Sequence, residues 1–185
     1  MNLESLEKQL DGKLLYDHTM RTLYATDASA YKEMPLAVAI PKTKEDIQKI
    51  IVFARENKSS VIPRAAGTSL AGQVVGNGIV VDISQEFTKI ISVDPVEKSA
   101  WVEPGVIRDE LNLYLKPHGL FFGPNTSTSN RCMVGGMVGN NSSGTTFPAG
   151  TGGSAAAGPD YGCLFTQPNP AWYYFQVSQT GVITI

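Results

Sequence analysis

The sequence predicts an α+β fold, and three observations lead to that prediction. Residues 36–63 follow the order strand, helix, strand, which is the pattern of a βαβ unit with parallel strands. Residues 88–104 read as two strands around an Asp-Pro turn, which favours an antiparallel pair. Hydrophobic residues make up 42% of the 185 and charged residues 17%, so the chain has enough apolar side chains for a buried core.

The N-terminal region is expected to begin with a short helix. Leu3, Leu6 and Leu10 recur at helical spacing, which predicts an amphipathic helix over residues 2–10. Residues 20–34 are polar and rich in Ser and Ala, which indicates an extended lead-in to the first buried strand.

The βαβ unit has the clearest local signals. Its helix, residues 42–57, begins with Thr43 as a capping residue, and Glu45 and Asp46 place acidic groups near the positive end of the helix dipole. One face of this helix is apolar; it consists of Ile47, Ile50, Ile51 and Ala54.

The remaining elements follow in order. Strands are expected at 61–63 and 79–83, then the antiparallel pair at 88–94 and 99–104. A second helix is predicted over 106–116, with Ile107, Leu111 and Leu115 on one face. Residues 117–129 are loop-like, and a small-residue element begins at 132.

Composition excludes several classes of protein. The net charge of −2 and the scattered basic residues give no nucleic-acid surface. The N-terminus has no apolar signal-peptide core, and no apolar run is long enough for a bilayer span. Cys132 and Cys163, with His18 and His118, lack zinc-ligand spacing, so no metal is expected. These features predict a cytoplasmic location, with any membrane association made through partners.

The composition changes near Phe147. No Lys or Arg follows Arg131, and aromatic residues concentrate in the tail. We therefore expect residues 1–146 to form one domain, 147–159 a Gly/Ala linker, and 160–185 a β-strand tail with strands at 172–178 and 182–185. The tail is similar to the opening of β-sandwich modules in exported bacterial surface proteins, which indicates a truncated or chimeric reading frame; a divergent ending of the same domain is the alternative.

The first candidate site is the stretch VIPRAAGTSLAGQVVGNGIVVDIS, residues 61–84. Successive backbone N–H groups at Gly67, Thr68 and Ser69 can turn together toward an anion, and the two hydroxyls add donors. Arg64 could supply a counter-charge. The alternative is a long connection rich in turn residues.

The second candidate site is PNTSTSNRCMVGGMVGNNSSGTT, residues 124–146. It combines hydroxyl and amide donors with small residues that let a flat ligand approach closely. The alternative is the start of a small-residue helix followed by a Ser/Asn loop. Neither stretch has the Gly-x-Gly-x-x-Gly dinucleotide fingerprint, and Thr145 stands where a P-loop needs lysine.

Together the two stretches resemble the FAD-binding domain of the vanillyl-alcohol oxidase/PCMH-type flavoprotein superfamily. Residues 24–41, 62–73, 80–84, 102–106 and 123–146 match in order, so the resemblance covers roughly residues 21–146. The branch with FAD-linked D-lactate dehydrogenases, D-2-hydroxyglutarate dehydrogenases and glycolate oxidases is the most similar. The AGTSLAGQ and NNSSG forms resemble the long members that carry an iron–sulfur segment.

This resemblance implies FAD as the cofactor and assigns its contacts. The loop at 64–69 would hold the pyrophosphate, Gly135 and Gly136 would lie close to the flavin, and Cys132 would form no covalent flavin bond. The expected FAD-binding residues are Arg64, Ala65, Ala66, Gly67, Thr68, Ser69, Gln73, Pro124, Thr126, Ser127, Gly135, Gly136, Asn140, Asn141 and Gly144. Many members have glycine at the positions of Ala65 and Ala66, so a competent loop requires right-handed or extended backbone there.

The resemblance also implies oxidation of a D-2-hydroxy acid by hydride transfer to the flavin N5 atom. The catalytic base belongs to a C-terminal substrate domain in the family, and no candidate base occurs in this sequence. We therefore expect an incomplete chain with little activity, which would act on a hydroxy acid only when a substrate domain is supplied. Two alternatives stay open: a non-catalytic flavin-binding module that needs a partner chain, and a secreted adhesion or carbohydrate-binding protein suggested by Trp172, Tyr173 and Tyr174.

Overall fold

The computed structural model describes residues 1–142 and two short strand segments, 175–177 and 183–184. The helices are α1 (Leu3–Glu7), α2 (His18–Leu23), α3 (Lys44–Glu56), α4 (Arg108–Leu115) and α5 (Val134–Gly139), with a 3₁₀ turn at Lys116–His118. The strands are β1 (Lys13–Leu15), β2 (Ala37–Ile40), β3 (Val61–Arg64), β4 (Ile79–Asp82), β5 (Ile90–Asp94), β6 (Ser99–Val102), β7 (Phe175–Val177) and β8 (Ile183–Thr184). The α+β prediction is confirmed.

The first sheet has the order β1-β2-β4-β3. Strands β2, β4 and β3 are parallel, and β1 pairs antiparallel with β2. The βαβ unit predicted from the sequence is present, but β4 lies between its two strands. All four residues of β4 are buried, whereas β3 is half-exposed at the side of the described sheet. Pro63, which has no N–H to donate, is tolerated in this outer position.

The second sheet has the order β5-β6-β7-β8, and neighbouring strands in it are antiparallel. The pair β5–β6 confirms the hairpin predicted at 88–104. The strands β7 and β8 fall within the predicted strands 172–178 and 182–185. The predicted linker and the rest of the predicted tail lie outside the described residues.

Two apolar cores hold these elements together. One lies between the first sheet and helices α1 and α3, and includes Leu6, Ile50 and Ile79. The other surrounds α4 and α5, and includes Leu111, Leu115, Phe122, Val134 and Met137. The predicted apolar faces of α3 and α4 therefore lie partly in the cores, through Ile50 and Ala54 and through Leu111 and Leu115, whereas Ile51 is exposed.

The segment before β2 is the part of the described fold that the sequence predicted least well. The expected extended lead-in over 20–34 is wrong at its start, because α2 runs to Leu23 and Asp17 caps it by accepting from the Met20 N–H at 3.1 Å. Strand β1 was also missed. Its three residues are too few for a periodic signal, and it forms because β2 offers a free edge.

A buried carboxylate ties the N-terminal segment to the βαβ unit. Asp46 accepts backbone N–H groups from Asp11, Gly12 and Lys42, each at 2.9 Å. Burial raises the pKa of Asp46, but these backbone hydrogen bonds outweigh it and hold the pKa below the usual value. The sequence predicted Asp46 as a helix-dipole residue, and the fold also uses it as an anchor.

Candidate functional site

The loop between β3 and β4 has the backbone conformation that an anion site requires. Gly67 and Gly72 have φ of +66° and +68°, in the left-handed region that favours glycine. Ala65 and Ala66 are not among the residues with positive φ, which confirms the expectation that these two positions be right-handed or extended. The loop therefore forms without strain at its two alanines.

Backbone donors in this loop are available to a ligand. Within the described part of the chain, the N–H groups of residues 65–70 meet no hydrogen-bond acceptor. Further along, the Ser69 hydroxyl accepts from the Ala71 N–H at 3.2 Å and donates to the Gln73 side-chain oxygen at 2.6 Å. A run of unpartnered N–H groups next to a left-handed glycine is the type of backbone arrangement that can bind an anion.

Arg64, the expected counter-charge, is turned back into the fold. Its Nη1 donates to the Thr26 carbonyl at 2.8 Å and to the Tyr24 carbonyl at 3.4 Å. The guanidinium carbon lies 5.1 Å from the centre of the Tyr24 ring, within cation–π range. Arg64 thus contacts the segment that precedes β2.

Tyr24 connects Arg64 to a buried carboxylate at the end of β4. Its hydroxyl donates to Asp82 at 2.6 Å, and Asp82 also accepts the Ser84 N–H at 2.8 Å. Burial and the hydrogen bond to Asp82 raise the pKa of Tyr24 to about 12. Tyr24 consequently contacts both charged groups, Arg64 over its ring face and Asp82 through its hydroxyl.

The second candidate stretch forms α5 and packs directly on the loop. A Cβ built on Gly136 would lie 3.3 Å from the Cβ of Ala65, so the two glycine-rich stretches meet at this contact. A Cβ built on Gly135 would lie 2.6 Å from the Cβ of Pro104, and the Gly135 N–H donates to the Pro104 carbonyl at 2.8 Å. The two glycines therefore face different neighbours, and the approach is close enough to require glycine at Gly135.

Asn140 and Asn141 end helix α5. The Asn141 N–H donates to the Val138 carbonyl at 3.0 Å and the Ser142 N–H to the Met137 carbonyl at 2.9 Å, which is the Schellman pattern. Asn141 has φ of +50°, a conformation that asparagine tolerates better than most residues. Both side chains are exposed, and Gly144 lies outside the described residues.

The hydroxyl-rich segment before α5 is anchored to α4. The Pro124 carbonyl accepts from Arg108 Nε at 3.0 Å, and the Thr126 hydroxyl lies 2.9 Å from the Cys132 sulfur. Ser127 is exposed. In the described chain no hydrogen bond joins this segment to the 65–73 loop, so the contact of α5 with Ala65 carries the link between the two stretches.

Four further residues shape the site and were not predicted from the sequence. Tyr24 contacts Arg64 through its ring and Asp82 through its hydroxyl. The Tyr31 ring lies against Gly72, and Arg108 donates to the Pro124 carbonyl. The Arg108 guanidinium, which also donates to Asp109 at 2.7 Å, holds the pKa of that carboxyl below its usual value. The signal for Tyr24 and Tyr31 was their place in the matching stretch 24–41; Arg108 gives no local signal.

The other features of residues 1–142 that bear on function are metal-ligand groups, membrane-spanning helices and the position of His118. No group of three His, Cys, Asp or Glu side chains there could hold a metal ion. None of the helices in this region is both long enough and apolar enough to cross a membrane. His118 is exposed and stacks at a tilt on Tyr114, with ring centres 6.4 Å apart, and it lies on the turn after α4 rather than at the loop.

Comparison with known proteins shows that this fold belongs to a flavin-binding class of protein. Residues 35–155 match the family described as FAD binding domain. The chain therefore belongs to this family of FAD-binding domains, and FAD is the cofactor it indicates.

Relatives of established function extend far beyond this chain. D-2-hydroxyglutarate dehydrogenase of Haemophilus influenzae is 42% identical over 146 residues, which are 77% of this chain and 14% of that protein. Mitochondrial D-lactate dehydrogenase (cytochrome) 1 of Saccharomyces cerevisiae is 30% identical over 143 residues, 75% of this chain and 24% of that protein. Glycolate oxidase subunit GlcD of Escherichia coli is 32% identical over 118 residues, which are 63% of this chain and 23% of that protein. The chain spans about a seventh of the length of the first of these relatives.

Solved structures share the fold at lower identity. Alkyldihydroxyacetonephosphate synthase is 21% identical with a TM-score of 0.62, over 71% of this chain and 29% of that one. p-Cresol methylhydroxylase is 20% identical with a TM-score of 0.62, and the match covers 75% of this chain and 28% of that one. The predicted PCMH-type fold is confirmed by these neighbours.

The residues present fit FAD on two observations. The unpartnered N–H groups of residues 65–70 suit the two phosphates, and the exposed Gly136 beside Ala65 presents backbone without a side chain. The loop fits a pyrophosphate through its backbone, not through a cluster of cationic side chains.

Proposed function

We propose that this chain is the FAD-binding part of a flavin-dependent oxidoreductase that oxidises a D-2-hydroxy acid of the lactate, glycolate or 2-hydroxyglutarate type. The observation that supports this most is the loop of unpartnered N–H groups packed against α5. The identity to D-2-hydroxyglutarate dehydrogenases supports the substrate class.

In this proposal the backbone of residues 65–70 binds the pyrophosphate, with Gly67, Thr68 and Ser69 at its centre. Gln73 is held by the Ser69 hydroxyl on the far side of the loop. Gly135, Gly136, Asn140, Asn141 and Gly144, with Pro124, Thr126 and Ser127, form the second contact segment. Bound FAD supplies hydride acceptance; the chain's own residues position it and exclude water from its phosphates.

The proposed domain division is 1–146 for the FAD-binding part, 147–159 for a linker and 160–185 for the tail. The family match extends to residue 155 and so crosses the first of these boundaries. The catalytic base is proposed to come from a further domain, so this chain alone should turn over little substrate. A cytoplasmic location is part of the same proposal.

Two glycines provide a matched test of the loop. Gly67 and Gly119 have nearly the same left-handed φ, +66° and +68°, but only Gly67 lies in the loop; a Cβ at Gly119 would meet nothing within 4 Å. Gly67→Ala should weaken FAD binding about tenfold or more, whereas Gly119→Ala should carry a similar backbone strain and keep the wild-type affinity.

The measurement is a flavin titration of the purified 185-residue chain, with riboflavin as the ligand that lacks the phosphates. FAD should bind much more tightly than riboflavin to the wild type and to Gly119→Ala. Equal binding of the two ligands, or equal losses in the two variants, would contradict the proposed site. Bleaching of bound FAD by D-lactate or D-2-hydroxyglutarate would show catalysis by this chain and contradict the expected low turnover, whereas binding without bleaching is the result expected both from this proposal and from a flavin module that needs a partner.

A further inference from the structure

The segment 24–31, which we call the brace, contacts residues 64–73, which we call the FAD loop, at three points. The carbonyls of Tyr24 and Thr26 accept from Arg64, at the residue where the loop begins. The Ala28 N–H donates to the Gly67 carbonyl at 3.1 Å. The Tyr31 ring lies under Gly72, so closely that a Cβ there would be 2.7 Å from it.

The brace is itself a folded turn. Thr26 and Lys32 form an antiparallel bridge, and the Glu33 N–H donates to the Ala25 carbonyl at 2.9 Å. Inside the turn Asp27 accepts the Ser29 N–H at 2.8 Å, and the Ser29 hydroxyl accepts the Tyr31 N–H at 3.1 Å. A turn with these internal bonds can hold a neighbouring loop in one conformation.

Arg64 makes the side-chain hydrogen bonds between the brace and the start of the loop. A Cβ built on Gly67 would lie 2.8 Å from Arg64 Nη2, so the guanidinium fills the space beneath the left-handed glycine. The guanidinium stacks on Tyr24, and the Tyr24 hydroxyl donates to the buried carboxylate of Asp82, so contacts within the fold hold the arginine in this position.

We propose that Arg64 is a positioning residue: with the brace it sets the shape of the FAD loop and leaves the phosphates to the backbone N–H groups. This inference rests on the proposed function and refines the earlier expectation of Arg64 as a counter-charge. A planar guanidinium is needed, because its Nη1 bonds the two carbonyls while its Nη2 lies under Gly67, and the single nitrogen of a lysine ammonium cannot occupy both positions.

The first test follows the brace in the chain without FAD. The amide of Ala28 reports the bond to the Gly67 carbonyl, and its hydrogen exchange can be followed by NMR. Arg64→Gln and Arg64→Lys should each speed this exchange about tenfold, since loss of the anchor opens a local hydrogen bond. The control is Arg55→Gln, an exposed arginine in the last turn of α3 that should leave Ala28 unchanged.

The second test measures FAD affinity at low and high salt. If Arg64 positions the loop, both variants should bind FAD about tenfold more weakly, with the salt dependence of the wild type retained. If Arg64 is instead a phosphate ligand, Arg64→Lys should recover most of the affinity and Arg64→Gln should flatten the salt dependence; either result overturns the proposal, as does unchanged Ala28 exchange.

A second variant covers the case in which Arg64→Gln does not fold. Tyr31 is 63% exposed, so Tyr31→Ala should preserve folding while it speeds exchange of the Val75 amide, which donates to the Gly72 carbonyl at 3.2 Å. Unchanged Val75 exchange would contradict the brace. If the wild type binds no FAD, the proposed function fails, but the exchange measurements still decide whether the brace holds the loop.

Discussion

Helix α5 offers a direct test of the packing, because the same substitution at two of its glycines should have opposite effects. At Gly139 a Cβ would meet nothing within 4 Å in the described chain. Gly139→Ala should therefore stabilise the protein by about 0.5–1 kcal/mol, the gain in helix propensity of alanine over glycine.

At Gly135 the same gain is opposed by a clash. The new Cβ would lie 2.6 Å from the Cβ of Pro104 and 3.0 Å from its carbonyl oxygen, and the backbone cannot move away without losing the 2.8 Å bond from Gly135 N–H to that oxygen. Overpacking costs about 1–3 kcal/mol. After the propensity gain, Gly135→Ala should destabilise the protein by about 1–2 kcal/mol.

Urea unfolding followed by far-ultraviolet circular dichroism measures both changes. The unfolding midpoints should move in opposite directions with an unchanged m-value, because the surface exposed on unfolding is the same. The difference of about 2 kcal/mol corresponds to roughly 4–8 °C in Tm for a chain of this size. A Gly135→Ala protein at least as stable as the wild type would refute the close packing on Pro104, and a destabilised Gly139→Ala protein would refute the open space at Gly139.

Three further predictions concern single residues outside the glycine helix. Asp46→Asn should cost about 2 kcal/mol in urea unfolding, since an amide cannot accept all three backbone N–H groups. Because the pKa of Asp46 is lowered in the fold, its contribution to the free energy of unfolding should be present above the unfolded pKa of about 3.9 and lost as the pH falls through the folded value. A difference in the free energy of unfolding between the wild type and Asp46→Asn that persisted at low pH would contradict this account. Tyr24 should ionise near pH 12 in an ultraviolet titration. Its raised pKa contributes to the free energy of unfolding, and this contribution is complete below about pH 10 and declines above it. Tyr24→Phe should remove that decline. Lys58 ends α3 with φ of +54°, so Lys58→Gly should stabilise by about 0.5–1 kcal/mol, and a loss of stability would mean that its side chain has a role that the backbone does not reveal.

Several elements could be predicted because their signals are local. Helix α3 has a capping Thr43 and an apolar face within one stretch of chain, and it begins and ends within two residues of the prediction. The hairpin β5–β6 has alternating residues on both sides of its turn. The glycine loop after β3 was found for the same reason, since its residue order is itself the signal.

Other features depend on neighbours that are distant in sequence. The sequence gives no sign that β4 lies between β2 and β3, because that order depends on which strand can be buried on both faces. It also treats Gly135 and Gly136 as one pair, whereas one packs on Pro104 and the other on Ala65.

By itself, then, the sequence determined the class of this protein: two glycine-rich stretches in a fixed order, with bare backbone for a phosphate-bearing cofactor. Only the tertiary structure decided how the first stretch is used. Arg64 looked like a counter-charge while its surroundings were unknown, and the fold placed it on the ring of Tyr24, whose hydroxyl bonds to Asp82. The physical reason is that every residue except proline carries a backbone donor, whereas the partner of a charged side chain is set by what the fold brings within a few ångströms.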